Sequence, residues 1–294
     1  MLAESRIDRR RLLGLCAGAA AAAVSPSLLA DGRAPAAPRP RGRKLKQSVC
    51  RWVLGKTPLD ELCRRAKDIG VAGIDLLRED EWAIPSSHGL ACTMAYGPKG
   101  MQIGRGLNRR EHHDEFVRDC EVLIPRIADA GIPNMIVFSG NRGGQDDEEG
   151  IGNCTEGLKR LAEIAEKRGV TLCMELLNSK VDHRDYAFDR MEYGVRVCEG
   201  VGSGRVKILY DIYHAQVMEG DVIRTIRTHA RHIGHFHTAG VPGRRDLDED
   251  QELYYPAICR AILETGFDGW LAHEFAAKED PFAALARAVR TCDV

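Results

Sequence analysis

The sequence predicts a single (β/α)8 barrel, the TIM-barrel fold, preceded by a cleavable signal and a short linker. Eight short β-like runs alternate with amphipathic helical stretches over residues 47–294, and several helical stretches end in glycine, as at Ile69-Gly70 and Arg168-Gly169. Alternating strands and helices imply parallel pairing, and eight such units match a barrel. Glycine is a common C-terminal stop for a helix. A doubly wound open sheet is the structural alternative.

Residues 1–30 read as an export signal. Arg9-Arg10 precede an alanine-rich run from Leu12 to Val24, which is shorter than the roughly 20 residues that span a bilayer. Paired arginines before a weakly apolar segment resemble a twin-arginine signal, with cleavage expected after Ala30. We therefore expect recognition by the twin-arginine export machinery, a periplasmic or exported protein, and no stable membrane anchor. The alternative is a basic tail beside an alanine helix.

Residues 31–45 form the predicted linker, and residues 46–294 the barrel. The linker is rich in Pro, Ala and Arg and cannot build a packed core. The chain has a net charge of −1, but residues 1–46 carry +7, which leaves −8 for residues 47–294. Such an acidic body argues against nucleic-acid binding, which depends on clustered Lys and Arg. No Gly-x-Gly-x-x-Gly follows the first strand, so no nucleotide cofactor is expected.

The strand candidates are short apolar runs, and the helical candidates between them carry apolar residues on one face. The eight predicted strands are Gln47–Trp52, Gly73–Leu77, Ala91–Tyr96, Asn134–Ser139, Val170–Glu175, Val206–Asp211, His232–His237 and Gly269–His273. The predicted helices are Leu59–Ile69, Arg109–Ala130, Asn153–Arg168, Arg190–Gly200, Asp221–His229, Pro256–Thr265 and Pro281–Cys292. The unit after the second strand is the least regular, because its connecting segment is short and poor in helix signals.

Four consecutive strand candidates, the fifth to the eighth, end in a residue that can bind a metal: Glu175, Asp211, His237 and Glu274. Active-site groups of a barrel lie where its strands end, so these four should converge. Apolar residues flank them, and isolated charges there would be costly unless paired or metal-bound. Three carboxylates and one imidazole favour one divalent cation, Mn²⁺ or Mg²⁺. His235 shares a strand face with His237 at period two and is interpreted either as a histidine that supports the ligands or as an interior histidine, rather than as a ligand itself.

Four motifs occur in a specific order after residue 136. They are Phe-Ser-Gly-Asn-Arg at 138–142, Glu-Leu-Leu-Asn at 175–178, Asp-Ile-Tyr-His at 211–214, and His-Thr-Ala-Gly-Val-Pro-Gly-Arg at 237–244. In these segments the chain resembles the hydroxypyruvate isomerases among the xylose-isomerase-like barrels of sugar isomerases and epimerases. The resemblance runs from about Gln47 to the C-terminus.

The resemblance implies a metal-dependent isomerase or epimerase of a small hydroxy-carbonyl compound, either a sugar or a hydroxy-keto acid, and suggests a homo-oligomer. It implies that Glu175 and Glu274 bind the metal and also act as acid and base. Substrate oxygens would be bound by His214 and Arg244, with Asn178 and Arg142 nearby. Moving a carbonyl to the neighbouring carbon removes a weakly acidic proton, so the developing enediolate must be stabilised, which a chelating metal can do.

Two other functions remain open. A metal-dependent keto-sugar lyase would begin with the same proton abstraction and then expel a leaving group. A non-catalytic sugar-binding barrel needs no pair of proton-transfer groups, and the presence of both Glu175 and Glu274 argues against it.

Overall fold

Eight parallel strands form the centre of the molecule in a computed structural model that describes residues 44–294. Their spatial order is β3-β2-β1-β8-β7-β6-β5-β4. The strands are β1 Lys46–Cys50, β2 Gly73–Asp75, β3 Ala91–Cys92, β4 Asn134–Val137, β5 Thr171–Glu175, β6 Val206–Asp211, β7 Ile233–Thr238 and β8 Trp270–His273. Each predicted strand is therefore present, and the architecture is consistent with the predicted barrel.

The segment that follows β3 connects the two ends of this sheet. Ala95 pairs in parallel with Leu77 on one side and with Met135 on the other. The Ala95 amide donates to the Asn134 carbonyl at 2.9 Å, and the Ile136 amide donates to the Ala95 carbonyl at 3.0 Å. β2 and β3 are shorter than predicted, because beyond Asp75 and Cys92 the two segments pair only through such isolated bridges.

Nine α-helices follow the strands in the described part of the chain. They are α1 Leu59–Ile69, α2 Ile84–Ser87, α3 His113–Asp129, α4 Asp147–Arg168, α5 Met191–Val201, α6 Ile212–Met218, α7 Val222–His229, α8 Tyr255–Glu264 and α9 Pro281–Cys292. α4 begins six residues before the prediction because the Asp146 carboxylate caps it, accepting from the Glu149 amide at 2.8 Å. α2 and α6 were not predicted.

α6 matters for the site because it starts directly after β6, with no intervening loop. Asp211 ends the strand and is also the N-cap of the helix, and its Oδ1 accepts from the Tyr213 amide at 2.8 Å and the His214 amide at 3.2 Å. One side chain therefore fixes the turn between strand and helix and remains at the carboxyl end of the sheet.

The predicted signal at residues 1–30 lies outside the described residues, as does the linker up to residue 43, so both stay predictions. Within residues 44–294, no helix combines the length and the apolar character that crossing a membrane requires.

Candidate active site

The four predicted metal ligands meet at the carboxyl ends of the strands. Glu175 ends β5, Asp211 ends β6, His237 lies in β7, and Glu274 directly follows β8. One ligand atom from each lies within 4.8 Å of those of the others, and all four side chains are buried. The Nδ1 of His237 is 2.9 Å from Glu274 Oε2 and 3.3 Å from Glu175 Oε1. The spacing of one ligand per βα unit thus produces a single cluster.

The chemistry of this cluster fits a divalent cation. Glu175 Oε1 and Asp211 Oδ2 are buried and accept no hydrogen bond. Buried carboxylate oxygens without partners are costly, and a cation coordinated by oxygen ligands would satisfy both. Three carboxylates with one imidazole form a predominantly hard donor set, the kind suited to Mg²⁺ or Mn²⁺.

The pKa values of the three carboxylates in this cluster are shifted in different directions. Burial, with Glu274 adding repulsion, raises the pKa of Glu175. Burial also raises the pKa of Asp211, to about 8, although Arg244 opposes the change. For Glu274 burial acts in the same direction, but the charges of Arg244 and His237 outweigh it and hold the pKa well below its usual value. Glu274 is therefore the most strongly stabilised anion of the three.

Both oxygens of Glu274 receive charge-assisted hydrogen bonds. Arg244 Nη2 donates to Oε2 at 2.6 Å, and the indole Nε1 of Trp52 donates to Oε1 at 2.7 Å. The guanidinium of Arg244 also lies 5.3 Å from the centre of the Trp52 ring and 3.8 Å from Asp211 Oδ2. Arg244 thus lies at the cluster, and its predicted role in binding substrate oxygens stays a prediction. The sequence did not single out Trp52, whose only signal is an aromatic residue where the first predicted strand ends.

His214 lies under the cluster and is held by Asn178. The backbone amide and the Nδ2 of Asn178 approach His214 Nδ1 at 3.2 and 2.6 Å, so Nδ1 is the acceptor and Nε2 carries the hydrogen. Burial keeps the pKa of His214 well below its usual value, so the ring is neutral. Its Nε2 has no hydrogen-bond partner and lies 3.7 Å from Asp211 Oδ2. Asn178 positions this ring, and its Oδ1 accepts from the amides of residues 181 and 182.

The donors of Arg142, a predicted substrate-binding residue, are engaged away from the cluster. Its guanidinium donates to the carbonyls of Tyr186 and Ala187, the latter at 2.9 Å, and pairs with Asp189 at 3.0 Å. A further bond at 3.0 Å reaches Asp147 at the start of α4. Arg142 thus fixes the loop that follows β5 and is not among the residues that line the cavity beside the cluster.

A cavity of about 370 Å³ opens beside the four ligands, a size suited to a small molecule. Its walls combine apolar and aromatic side chains with a few polar groups: Trp52, Leu76, Tyr96, Ile103, Ile136, Phe138, Glu175, Leu177, His183, Arg244 and Glu274. Sequence reasoning missed His183. Its ring lies 5.2 Å from that of His214, and its buried Nε2 has no partner.

A second cluster of polar side chains lies against His237, on the side away from the cavity. Asp75 Oδ2 is 3.0 Å from His237 Nε2, and Asp75 Oδ1 is 3.3 Å from His235 Nε2. All three side chains are fully buried. Burial opposes ionisation of Asp75, but His235 and His237 together lower its pKa. The interior placement of His235 agrees with the interpretation from strand periodicity, whereas Asp75 was not anticipated.

These features define a barrel with a candidate metal centre at the mouth of its strands, and comparisons with known proteins support the barrel fold. The model of the family described as xylose isomerase-like TIM barrel matches residues 63–292. The chain belongs to this family, which confirms the resemblance seen in its motifs.

Two relatives illustrate the similarity in sequence. The chain is 35% identical over 130 residues to a 2-oxo-tetronate isomerase of Cupriavidus necator, covering 44% of this chain and 49% of the relative. It is 24% identical over 131 residues to a human protein provisionally named a hydroxypyruvate isomerase, covering 45% and 47%. The chain therefore spans about half the length of the curated relatives it matches.

Solved structures share the fold at lower identity. An AP endonuclease, family 2, from Brucella melitensis superimposes with a TM-score of 0.74 at 21% identity, covering 84% of this chain and 98% of the other. At identities this low the similarity shows the fold alone.

Proposed function

We propose that this chain is a metal-dependent isomerase or epimerase of a small hydroxy-carbonyl compound, either a sugar or a hydroxy-keto acid. The observation that carries the proposal is the meeting of Glu175 and Glu274 at one cavity, where the ligand atoms of the four-residue cluster lie within 4.8 Å of one another. The names of relatives support it: one acts as a 2-oxo-tetronate isomerase, and another, from Ruminiclostridium cellulolyticum, as a D-psicose 3-epimerase.

Glu175, Asp211, His237 and Glu274 would hold one divalent cation, Mn²⁺ or Mg²⁺. When bound, the cation supplies Lewis acidity, which polarises the substrate carbonyl and stabilises the enediolate oxygens. The two glutamates carry the proton. One carboxylate takes the proton from the carbon beside the carbonyl. In epimerisation the other carboxylate delivers a proton to the opposite face of the same carbon. In isomerisation a proton is delivered to the former carbonyl carbon, and the hydroxyl proton passes to the former carbonyl oxygen.

Two further groups act on the developing charge. The guanidinium of Arg244 reaches the cluster from its edge, and the neutral His214 presents an N–H beside Asp211. Both are donors that are fixed before the substrate binds, so they can stabilise an oxyanion without reorganising. Trp52 and Phe138 line the same cavity and add apolar surface to its wall.

The test follows hydrogen exchange and product formation together. The protein is incubated with Mn²⁺ in heavy water with a panel of ketoses, aldoses and hydroxy-keto acids, and products are followed by NMR. The parent should exchange the carbon-bound hydrogen and form an isomer or epimer. Glu175→Gln and Glu274→Gln should each reduce turnover by about 10²- to 10⁴-fold, the contribution of general acid–base catalysis.

Glu163→Gln is the matched control, because Glu163 is an exposed residue of α4 that pairs with Lys167. It should retain parental turnover. Exchange followed by loss of a leaving group would instead show a keto-sugar lyase. A binding barrel would be stabilised thermally by a sugar without any exchange.

We also propose export through the twin-arginine route, on the basis of Arg9-Arg10 and the mild apolar run after them. Replacing both arginines by lysine should leave the precursor in the cytoplasm, as measured by cell fractionation. Unchanged export of that variant would exclude the route.

A further inference from the structure

The two ring nitrogens of His237 face two different groups. Nδ1 faces the candidate metal centre, at 2.9 Å from Glu274 Oε2 and 3.3 Å from Glu175 Oε1. Nε2 faces the opposite way and lies 3.0 Å from Asp75 Oδ2. The imidazole thus connects the mouth of the barrel with a carboxylate deeper inside it.

Asp75 is fixed by contacts from several neighbouring strands. The Thr93 hydroxyl donates to Oδ1, and His235 Nε2 lies 3.3 Å from the same oxygen. Oδ2 faces His237 and also accepts from the thiol of Cys50 at 3.8 Å. Because Asp75, His235 and His237 are fully buried, no water competes for these contacts. These contacts hold the carboxylate in one orientation.

The contact with Asp75 keeps a hydrogen on Nε2 of His237. An ionised carboxylate only accepts hydrogen bonds, so the ring nitrogen that faces Asp75 must carry a hydrogen. With a cation held between the carboxylates, Nδ1, which faces Glu175 and Glu274, would give up its hydrogen and offer its lone pair, while Nε2 keeps the hydrogen that it donates to Asp75. Histidines that bind metals are commonly oriented in this way by a carboxylate on the other ring nitrogen.

We propose that Asp75 is the positioning residue of His237: it accepts the Nε2 hydrogen and thereby aims the Nδ1 lone pair at the cation held by Glu175, Asp211 and Glu274. The inference rests on the metal dependence given in the proposed function. Thr93 donates to Oδ1 and His235 lies 3.3 Å from it, so Oδ2 is the oxygen that faces His237. Asp75 itself does not contact the substrate cavity.

The test measures Mn²⁺ affinity rather than activity. Dissociation constants are determined by competition with a fluorescent chelator for the parent, Asp75→Asn and Asp246→Asn. Asparagine keeps the shape but loses the charge and one acceptor, so Asp75→Asn should bind Mn²⁺ about 10- to 100-fold more weakly. Asp246 is a matched control, a buried aspartate that pairs with Arg287 instead of a histidine, and its variant should bind as the parent does.

A double-mutant cycle separates positioning from a general effect on the fold. In the His237→Ala background, Asp75→Asn should weaken Mn²⁺ binding no further, because the ring through which it acts is gone. An equal loss in both backgrounds would overturn the inference. If Asp75→Asn does not fold by circular dichroism, Thr93→Val replaces it: this variant removes the hydroxyl that donates to Asp75 but keeps the carboxylate. A several-fold weaker affinity is then expected, and unchanged affinity overturns the inference.

The remaining outcomes distinguish this inference from the proposed function. If the parent binds Mn²⁺ and Asp75→Asn binds it equally well, the positioning role fails while the metal centre stands. If the parent binds neither Mn²⁺ nor Mg²⁺, the metal centre fails and the inference fails with it. A stoichiometry of two ions per chain that falls to one in Asp75→Asn would make Asp75 a ligand of a second ion and would also overturn the inference.

Discussion

Removing the indole hydrogen of Trp52 should shift the acid limb of the pH–rate profile. Trp52 Nε1 donates to Glu274 Oε1 at 2.7 Å, while Arg244 occupies the other oxygen. Trp52→Phe keeps an aromatic ring in the cavity wall but loses this donor. A hydrogen bond to a charged group contributes about 1.5–3 kcal/mol. Trp52 is 39% exposed, so we expect its hydrogen bond to contribute about 1.5 kcal/mol, the lower end of that range.

The sign follows from which form of Glu274 the donor stabilises. The bond favours the carboxylate, so its loss raises the pKa of Glu274, and about 1.4 kcal/mol corresponds to about one pKa unit. Because turnover requires Glu274 as a carboxylate, we assign to its titration the most acidic limb of kcat/KM. This limb should move upward by about one pH unit, as measured by NMR or a coupled assay from pH 3, below the usual pKa of a glutamate, to pH 9.

Trp82→Phe is the control for that measurement, because Trp82 Nε1 donates instead to the Leu77 carbonyl at 3.1 Å. This variant should leave the acid limb in place. An unshifted limb in Trp52→Phe would refute the assignment of that limb to Glu274.

Three further predictions concern the fold that supports the site. Gly106→Ala should lower the free energy of unfolding, measured by urea titration, by about 3 kcal/mol, because a Cβ there would clash with the backbone of residues 138–140. Gly152→Ala is the control: its Cβ would meet open space in α4, so it should raise the free energy of unfolding by about 1 kcal/mol. Arg142→Ala should lower the free energy of unfolding by about 3 kcal/mol, because it leaves the buried Asp189 carboxylate without its ion pair. Arg196→Ala breaks an exposed ion pair and should lower it by less than about 1 kcal/mol. Parental KM in the folded Arg142 variant would exclude substrate contact. The nine cysteines of residues 44–294 are all buried, so none should react with a thiol reagent at pH 7.5 until the protein unfolds; fast labelling of any of them in the native protein would contradict this placement.

The strands could be predicted from the sequence because each is a short buried run bounded by turn residues, as in β5 and β6. Helix α6 could not, because no loop separates it from β6. Asp211 ends the strand and caps the helix at once, so the change from a period of two to a period of 3.6 has no turn signal to mark it. Boundaries of this kind depend on a side-chain hydrogen bond that only the folded chain forms.

The meeting of the four predicted metal ligands could be predicted for a geometric reason. Parallel strands of a barrel all end at the same mouth, so residues one βα unit apart must approach one another, whatever the loops do. The position of Arg142 depends instead on a loop conformation. The motif around Arg142 predicts a place near the substrate. In the structure its guanidinium instead donates to carbonyls and a carboxylate of the loop at residues 185–189.

Asp75 shows what strand-end reasoning leaves out. It lies inside the second predicted strand, between Ile74 and Leu76, where the chain offers no turn and no motif. The signal that could have found it is energetic: a charged residue in a buried strand is costly unless partners surround it. His235 and His237, at period two on another strand, are such partners, and a search for buried charges with matching groups on the same barrel face would have paired them. The group of interacting side chains therefore extends from the mouth of the barrel down to Asp75. Only the free-energy cost of burying a charge could have predicted that Asp75 belongs to it.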